Sequence, residues 1–289
     1  MKIKSKERKN LTFGNKLLNL FVVLFFALLA FSYVYIFWFC FSSGLKTHDE
    51  ISLNTFGMPE NPNFYNYIDV FSKLKVGKIG FIQMLCNSLY FSILGYLLTC
   101  MLTCMLAYVT NKYKFPGAKL YFLVVTITMI LPIYGNGGSS YRLLHQLGLI
   151  NSPLYILMYC SGVNAYYLYF YAAFSSLSWD YAEAAQIDGA NEFTIFFRVM
   201  FPQVIALFGA LFLIGWVADW NNYGSALVYL PKMPTIAAGI YLFELDIQRY
   251  ARMDILYAAY FISAIPALIL FIAFNKTLTT NVSLGGIKE

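Results

Sequence analysis

Charge is what this sequence has least of. Lys, Arg, Asp and Glu make up 12% of its 289 residues, against 60% hydrophobic and 19% aromatic. So little charge cannot cover a soluble globule of this length, and the composition is that of a chain resident in a bilayer. Histidine is scarcer still: His48 has no visible partner, and His145 stands three residues from Arg142 in what reads as a solvated helix face. There are five cysteines. Cys100 and Cys104 are four apart, yet no His or acid near them completes a metal site, so they read as small apolar packing residues. A Gly-x-x-x-x-Gly-Lys-Ser/Thr phosphate loop is missing, which excludes ATP hydrolysis through that motif. Runs of alternating apolar and polar residues, which membrane barrel strands need, are missing too.

What is present is a series of continuous apolar runs. A hydrocarbon core about 30 Å thick needs roughly 20 helical residues, and six candidate spans can be laid out: Leu17–Phe41, Phe81–Val109, Leu120–Tyr134, Pro153–Phe174, Val204–Trp220 and Ile255–Phe274. The expected fold is all-α, a polytopic membrane bundle of six transmembrane helices. It divides into a basic tail (1–16), a first span (17–41), an outer loop (42–80), a core (81–275) and a C-terminal tail (276–289). The first apolar run is too long for a signal peptide and lacks a small-residue cleavage site, so it reads as an uncleaved anchor. With six spans and a cytoplasmic N-terminus, the inner segments hold twelve Lys and Arg against six acids, and the outer ones eight against eight. That bias puts both termini in the cytoplasm. The net charge of +6 then faces anionic membrane lipids, and nothing in the sequence reads as a nucleic-acid surface. Trp38, Trp179, Trp216 and Trp220 fall near span ends, as interfacial anchors do. Gly95, Thr99, Thr103 and Ala107 recur every four residues, a small-residue stripe for close helix packing.

One polar stretch interrupts the apolar runs, DYAEAAQIDGANEFTIFFRVMFPQ from Asp180 to Gln203. At mid-bilayer Asp180, Asp188 and Arg198 would cost roughly 3 kcal/mol each. Ile187, Phe193, Ile195, Phe196, Phe197, Val199 and Phe201 would return roughly 0.5 each, a balance against insertion of about 5 kcal/mol. The stretch therefore lies at the cytoplasmic surface. Ser178 is placed to cap a first short helix that Gly189 ends, and a second helix runs from about Glu192 to Met200 with Phe193, Phe196, Phe197 and Met200 as its apolar stripe. Pro202 marks the return to the membrane, and an exposed vertex is expected around Ile187 to Ala190.

EAAQIDGANEFTIFFRVMFP resembles the EAA motif of ABC importer permeases, with its Glu-Ala-Ala, Asp-Gly-Ala and Pro in order between two spans. PENPNFYNYIDVF, NSLYFSI, AYVTNKYKFPG, LPIY, LGLINSP, DWNNYGSAL, PTIAAGI and VSLGGIKE are similar to further segments of the carbohydrate-uptake class, typified by the smaller maltose-type permease, so the resemblance covers most of Asn61 to Glu289. Two departures stand out: family members often carry Pro where Ser178 or Trp179 stands, and GNGGSSY is richer in glycine than the usual loop.

The resemblance implies a bundle forming half of a translocation pathway in a bacterial cell membrane. It implies a second permease subunit, most simply a heterodimeric partner, two ATPase subunits, an extracytoplasmic solute-binding protein and a sugar substrate. No cofactor would be bound by this chain; ATP would be used by a partner, and the chain would be a transport component rather than an enzyme. Glu183, Ala184, Ala185, Ile187, Asp188, Gly189 and Ala190 would form the ATPase-docking element, within coupling helices at 178–202. Asp219, Trp220, Asn221, Asn222 and Tyr223 are candidate substrate-pathway residues, since a Trp face with amide neighbours suits a sugar ring; an interfacial belt explains the same residues. Asp246, Arg249 and Asp254 are candidates for contact with the binding protein. The competing functions are a permease for amino acids or peptides and an ion-coupled carrier. The carrier would need paired repeats and mid-membrane acids, which the sequence does not show.

Overall fold

The apolar run after Lys16 is apolar all round, and it winds into one helix, α1 (Phe13–Gly44). The computed structural model describes the backbone of residues 13–113, 115–131, 135, 137–250 and 252–281, with side chains at 14, 17–113, 115–131, 135, 137–246 and 252–274. The basic tail before residue 13, the last three residues of LPIY and the whole of VSLGGIKE lie outside the described residues. The most apolar window of α1 is entirely unburied within the chain, as befits a helix whose solvent is lipid. Only its far end meets the bundle. There Phe39 packs edge-on against Tyr257 at 5.4 Å and Phe41 against Phe261 at 5.1 Å, both on the last helix, α12 (Met253–Asn281).

Residues 44–80 fold back onto that end through α2 (His48–Leu53), α3 (Tyr65–Lys73) and a two-residue hairpin of β1 (Lys75–Val76) and β2 (Ile79–Gly80), with Lys75 opposite Gly80. Polar groups hold this cap. Buried Lys46 donates through Nζ to the carbonyls of Asn54 (2.6 Å) and Thr55 (3.1 Å), and buried Asn66 donates to those of Gly44 (3.0 Å) and Lys46 (2.8 Å).

Among the described residues, four helices are long and apolar enough to cross a bilayer: Leu17–Gly44 within α1, α4 (Phe81–Lys112), α9 (Glu192–Trp220) and Met253–Phe274 within α12. They contain the first, second, fifth and sixth expected spans. The third is α5 (Ala118–Ile130), 13 residues or about 20 Å at 1.5 Å per residue. The fourth differs from expectation. Pro153–Phe174 is not one helix but a 3₁₀ segment, Pro153–Tyr159, a break, and then α7 (Ala165–Ser175), which follows α6 (Gly137–Gln146) in helix order. Each piece has its own cap: Ser152 Oγ accepts from the Leu154 N–H ahead of the 3₁₀ segment, and Asn164 Oδ1 accepts from the Tyr166 N–H to start α7. Asn164 Nδ2 bonds across the break, donating to Thr103 Oγ1 at 3.1 Å and to the Ser161 carbonyl at 2.9 Å, while Cys160, Ser161 and Val163 are exposed. Irregular backbone at membrane depth is tolerated only with such partners.

The break docks on the small-residue stripe of α4. Gly95, Thr99, Thr103 and Ala107 are all buried, and Thr99 Oγ1 donates to the Tyr159 carbonyl at 2.8 Å. A Cβ on Gly95 would lie 2.8 Å from the Tyr159 ring. Around this seam Tyr167, Phe170 and Phe174 of α7, Trp216 of α9 and Ile255, Ala258 and Ala259 of α12 are fully buried. Trp216 and Trp220, at 0% and 4% exposure, are therefore core residues rather than interfacial anchors; Trp38, at 46%, is on the surface.

Candidate functional sites at the two ends of one helix

The polar stretch begins with α8 (Asp180–Ile187). Ser178 Oγ accepts from the Asp180 N–H at 3.2 Å, but Trp179 occupies the cap position, so Ser178 steadies the entry rather than capping it. The helix ends in a Schellman motif: the Gly189 N–H bonds the Gln186 carbonyl and the Ala190 N–H bonds the Ala185 carbonyl, both at 2.9 Å. Gly189 takes φ +81° to make that turn, a conformation that disfavours any residue with a Cβ. Ala182 is fully buried and Ala185 and Ala190 pack against the core, while Glu183, Ala184, Ile187, Asp188 and Gly189 are exposed. Ile187, an apolar residue at 87% exposure, is the tip of a vertex whose other face is buried.

The second short helix expected here does not exist as a separate element. Asn191 caps the next helix, its Oδ1 accepting from the Thr194 N–H at 2.8 Å, and α9 then runs unbroken for 29 residues to Trp220. Pro202 does not break it. Immediately before that residue, Ile195–Met200 widens into a π turn, which relieves the steric and hydrogen-bond defect that proline brings to a regular helix. The wider turn also resets the apolar stripe. Ile195, Phe196 and Met200 are buried, whereas Phe193 (70%) and Phe197 (42%) are exposed.

An aromatic brace ties the vertex to the end of α4. Tyr113 packs edge-on against Trp179 at 5.6 Å and donates its hydroxyl to Glu192, and Tyr108 lies against Phe174 (5.4 Å) and Phe196 (5.1 Å). Burial, and then the bond to Glu192, push the Tyr113 phenol above its ordinary pKa, so it stays a neutral donor. Lys112 Nζ donates to the Leu177 carbonyl at 2.6 Å. None of Tyr108, Tyr113 and Asn191 was singled out from sequence. Asn191, a polar residue ahead of an apolar run with an acid following, carried a readable cap signal; the tyrosines carried none.

The five candidates at the other end of α9 are split by the structure. Asp219 turns inward, accepting from the Tyr159 hydroxyl at 2.8 Å. Asn222 is a helix cap, with Oδ1 accepting from the Ser225 N–H at 3.1 Å at the start of α10 (Tyr223–Tyr229). Asn221 Nδ2 folds back to the Val217 carbonyl at 2.8 Å. Trp220, Asn221 and Tyr223 instead line a cleft of about 200 Å³ together with Tyr241 and Glu244 of α11 (Ile236–Tyr250) and Tyr260 of α12. Tyr223 and Tyr241 stack at 4.3 Å with planes 13° apart, Glu244 accepts from the Tyr260 hydroxyl at 2.9 Å, and Trp220 Nε1 donates to the Ser263 carbonyl at 3.2 Å. Tyr241, Glu244 and Tyr260 were missed because they lie about twenty to forty residues further along the chain.

Of the outer-loop candidates, Asp254 is buried (4%) and paired in fork geometry with Arg252, Nε–Oδ1 3.0 Å and Nη2–Oδ2 2.9 Å. It is not available to a partner protein. Arg252 also reaches Asp69 at 3.6 Å, which Lys73 bonds at 2.5 Å. The Lys73 hydrogen bond, with Arg252 adding to it, holds Asp69 below the ordinary carboxylate range. Asp246 is exposed, and the Arg249 side chain lies outside the described residues. Among the described residues no three His, Cys, Asp or Glu converge on a metal-sized site.

A mostly helical membrane bundle with a capped polar vertex between two of its spans fits a transport permease, and the family comparison agrees. Residues 100–283 match the model of the binding-protein-dependent transport system inner membrane component, and the chain belongs to that family. Among its relatives is the arabinooligosaccharides transport system permease protein AraQ of Bacillus subtilis, 28% identical over 92% of this chain and 95% of the relative. Another is the diacetylchitobiose uptake system permease protein NgcG of Streptomyces coelicolor, 27% identical over 84% of this chain and 80% of the relative. The fold is shared with a chain of a bacterial ABC transporter involved in import of the acidic polysaccharide alginate, at a TM-score of 0.78 and 20% identity over 93% of this chain and 99% of that one.

Proposed function

We propose that this chain is the transmembrane permease subunit of an ATP-driven, binding-protein-dependent sugar importer. It forms half of the translocation pathway, and its vertex receives a cytoplasmic ATPase. The observation that carries this is the geometry of α9. One helix of 29 residues, about 43 Å at 1.5 Å per residue, begins two residues after the Schellman turn and ends at the Trp220 cleft. Such a helix is longer than the roughly 30 Å hydrocarbon core, so its first turns and Arg198 stand clear of the membrane on the side that the charge bias assigns to the cytoplasm.

In this reading Ile187, Asp188 and Gly189 enter a cleft on the ATPase, with Glu183 offering a charge-assisted hydrogen bond. Ala182 and Ala185 seat the vertex on the bundle. When two ATPase subunits close on ATP, the vertex moves, and the Tyr113–Trp179–Glu192 brace carries α4 and α9 with it as a rigid pair. The cleft at the far end then opens and closes by rigid-body motion. A second permease subunit completes the pathway, an extracytoplasmic solute-binding protein delivers the sugar, and both termini lie in the cytoplasm. The names of the relatives, which act on arabinooligosaccharides and diacetylchitobiose, support a carbohydrate over an amino acid or peptide. The test is reconstitution in proteoliposomes with single components omitted. Uptake is expected only with both permeases, the ATPase and the binding protein present, and uptake by the permeases alone contradicts the proposal.

A further inference from the structure

We infer that the cleft beside Trp220 selects carbohydrates that carry no negative charge, and that Glu244 is the residue that turns uronates away. This rests on the sugar-importer reading above and adds the charge class of the sugar.

The cleft has the chemistry of a glycan subsite: a flat aromatic wall and a few fixed polar groups. Tyr223 and Tyr241 supply the wall, stacked at 4.3 Å. Glu244 supplies a held acceptor, because one carboxylate oxygen is fixed by the Tyr260 hydroxyl at 2.9 Å. No other described residue bonds this carboxylate, and Glu244 lines the cleft, so the group has acceptor capacity to spare. An ionised carboxylate only accepts hydrogen bonds. It pairs with a sugar hydroxyl or an amino group, and has nothing to offer the carboxylate of a uronate but repulsion.

Nothing in the lining offsets that charge. Among the described lining residues there is no Lys or Arg, and Glu244 is the one ionisable residue other than tyrosine. Asp219 lines the small adjoining cavity with Trp220, Ser88, Ser92 and Asn222, and the charge it adds there has the same sign. The fold shared with an alginate importer therefore need not bring that transporter's charge preference with it.

The experiment titrates the purified complex of both permeases and both ATPase subunits with matched disaccharides, a galactose pair against digalacturonate and a glucose pair against diglucuronate, following Trp220 fluorescence. Trp220→Phe identifies the signal. At least one neutral disaccharide is expected to bind tenfold or more tighter than its uronate. Glu244→Gln, which keeps an acceptor for Tyr260, is expected to narrow the gap between the neutral sugar and its uronate at least tenfold. Glu244→Lys is expected to invert the preference. Equal or tighter uronate binding by the wild type overturns the inference, as does an unchanged gap in Glu244→Gln. If no disaccharide gives a saturable signal, the cleft is not a sugar site and the inference falls, while the ATPase-docking proposal is judged separately by crosslinking at Ile187.

Discussion

Gly189 sits at φ +81°, and a Cβ built on it meets no atom within 4 Å. Within this chain, then, a side chain at 189 costs backbone strain and no packing. Left-handed backbone costs an L-residue roughly 1–2 kcal/mol, least for Asn and most for a β-branched residue. At about 1.4 kcal/mol per tenfold, Gly189→Val shifts the turn toward a frayed form by about tenfold to thirtyfold, whereas Gly189→Asn shifts it only a few-fold. If the formed turn is what the ATPase receives, that cost enters the docking equilibrium directly. The assay is ATP-driven uptake in proteoliposomes of the complete transporter, normalised to permease inserted. The expected order is Gly, Asn, Ala, Val, with Val about tenfold or more below wild type and insertion unchanged. An Asn variant as poor as Val refutes the reasoning, because side-chain size at the vertex would then be the cause. Wild-type uptake by Val refutes the docking role altogether.

Three further outcomes are expected. Tyr159→Phe removes the one donor that bonds the Asp219 carboxylate among the described residues and leaves that carboxylate without its partner, at about 1–3 kcal/mol; thermal unfolding of the detergent-solubilised complex should show the loss, and Tyr159→Phe combined with Asp219→Asn should recover part of it. Gly95→Ala puts a methyl 2.8 Å from a Tyr159 ring already pinned by that same bond, so it should destabilise by about 1–3 kcal/mol, read in the same assay, while Gly14→Ala, with open space around it, should be neutral. Asp69 has its pKa lowered by Lys73 and Arg252, so its contribution is present above the ordinary carboxylate pKa and is lost as pH falls through the lower folded value. The hydrogen-exchange protection factors of residues 65–80 should therefore fall below about pH 4, and Asp69→Asn should flatten that dependence.

Continuous apolar runs made four of the spans legible, because a bilayer demands about 20 apolar residues in a row and little else imitates that demand. The vertex was legible for the opposite reason: charges that cannot be inserted mark where the chain leaves the membrane. The fourth span was misjudged because the apolar runs on either side of Cys160–Asn164 outweighed the Ser161–Gly162 interruption and the cap at Asn164. The continuity of α9 was hidden by Pro202, since a π turn that accommodates proline leaves no sequence signature. Trp216 and Trp220 show a further limit: an aromatic near a span end looks the same whether it faces head groups or the core. At the cleft, Trp220 and its amide neighbours were visible as a local cluster. Tyr241, Glu244 and Tyr260 were not, because only the return of α11 and α12 beside α9 brings them there.

The most direct test of the central claim is a crosslink from the vertex. Ile187, 87% exposed, is replaced by Cys in a background without the other exposed cysteines, and the assembled transporter is treated with a short bifunctional reagent. The account predicts capture of the ATPase subunit at Ile187→Cys, with an efficiency that changes between nucleotide-free and ATP-bound states, and no capture from Tyr223→Cys at the other end of the bundle. Absence of an ATPase adduct at position 187 in a complex that still transports sugar would contradict it.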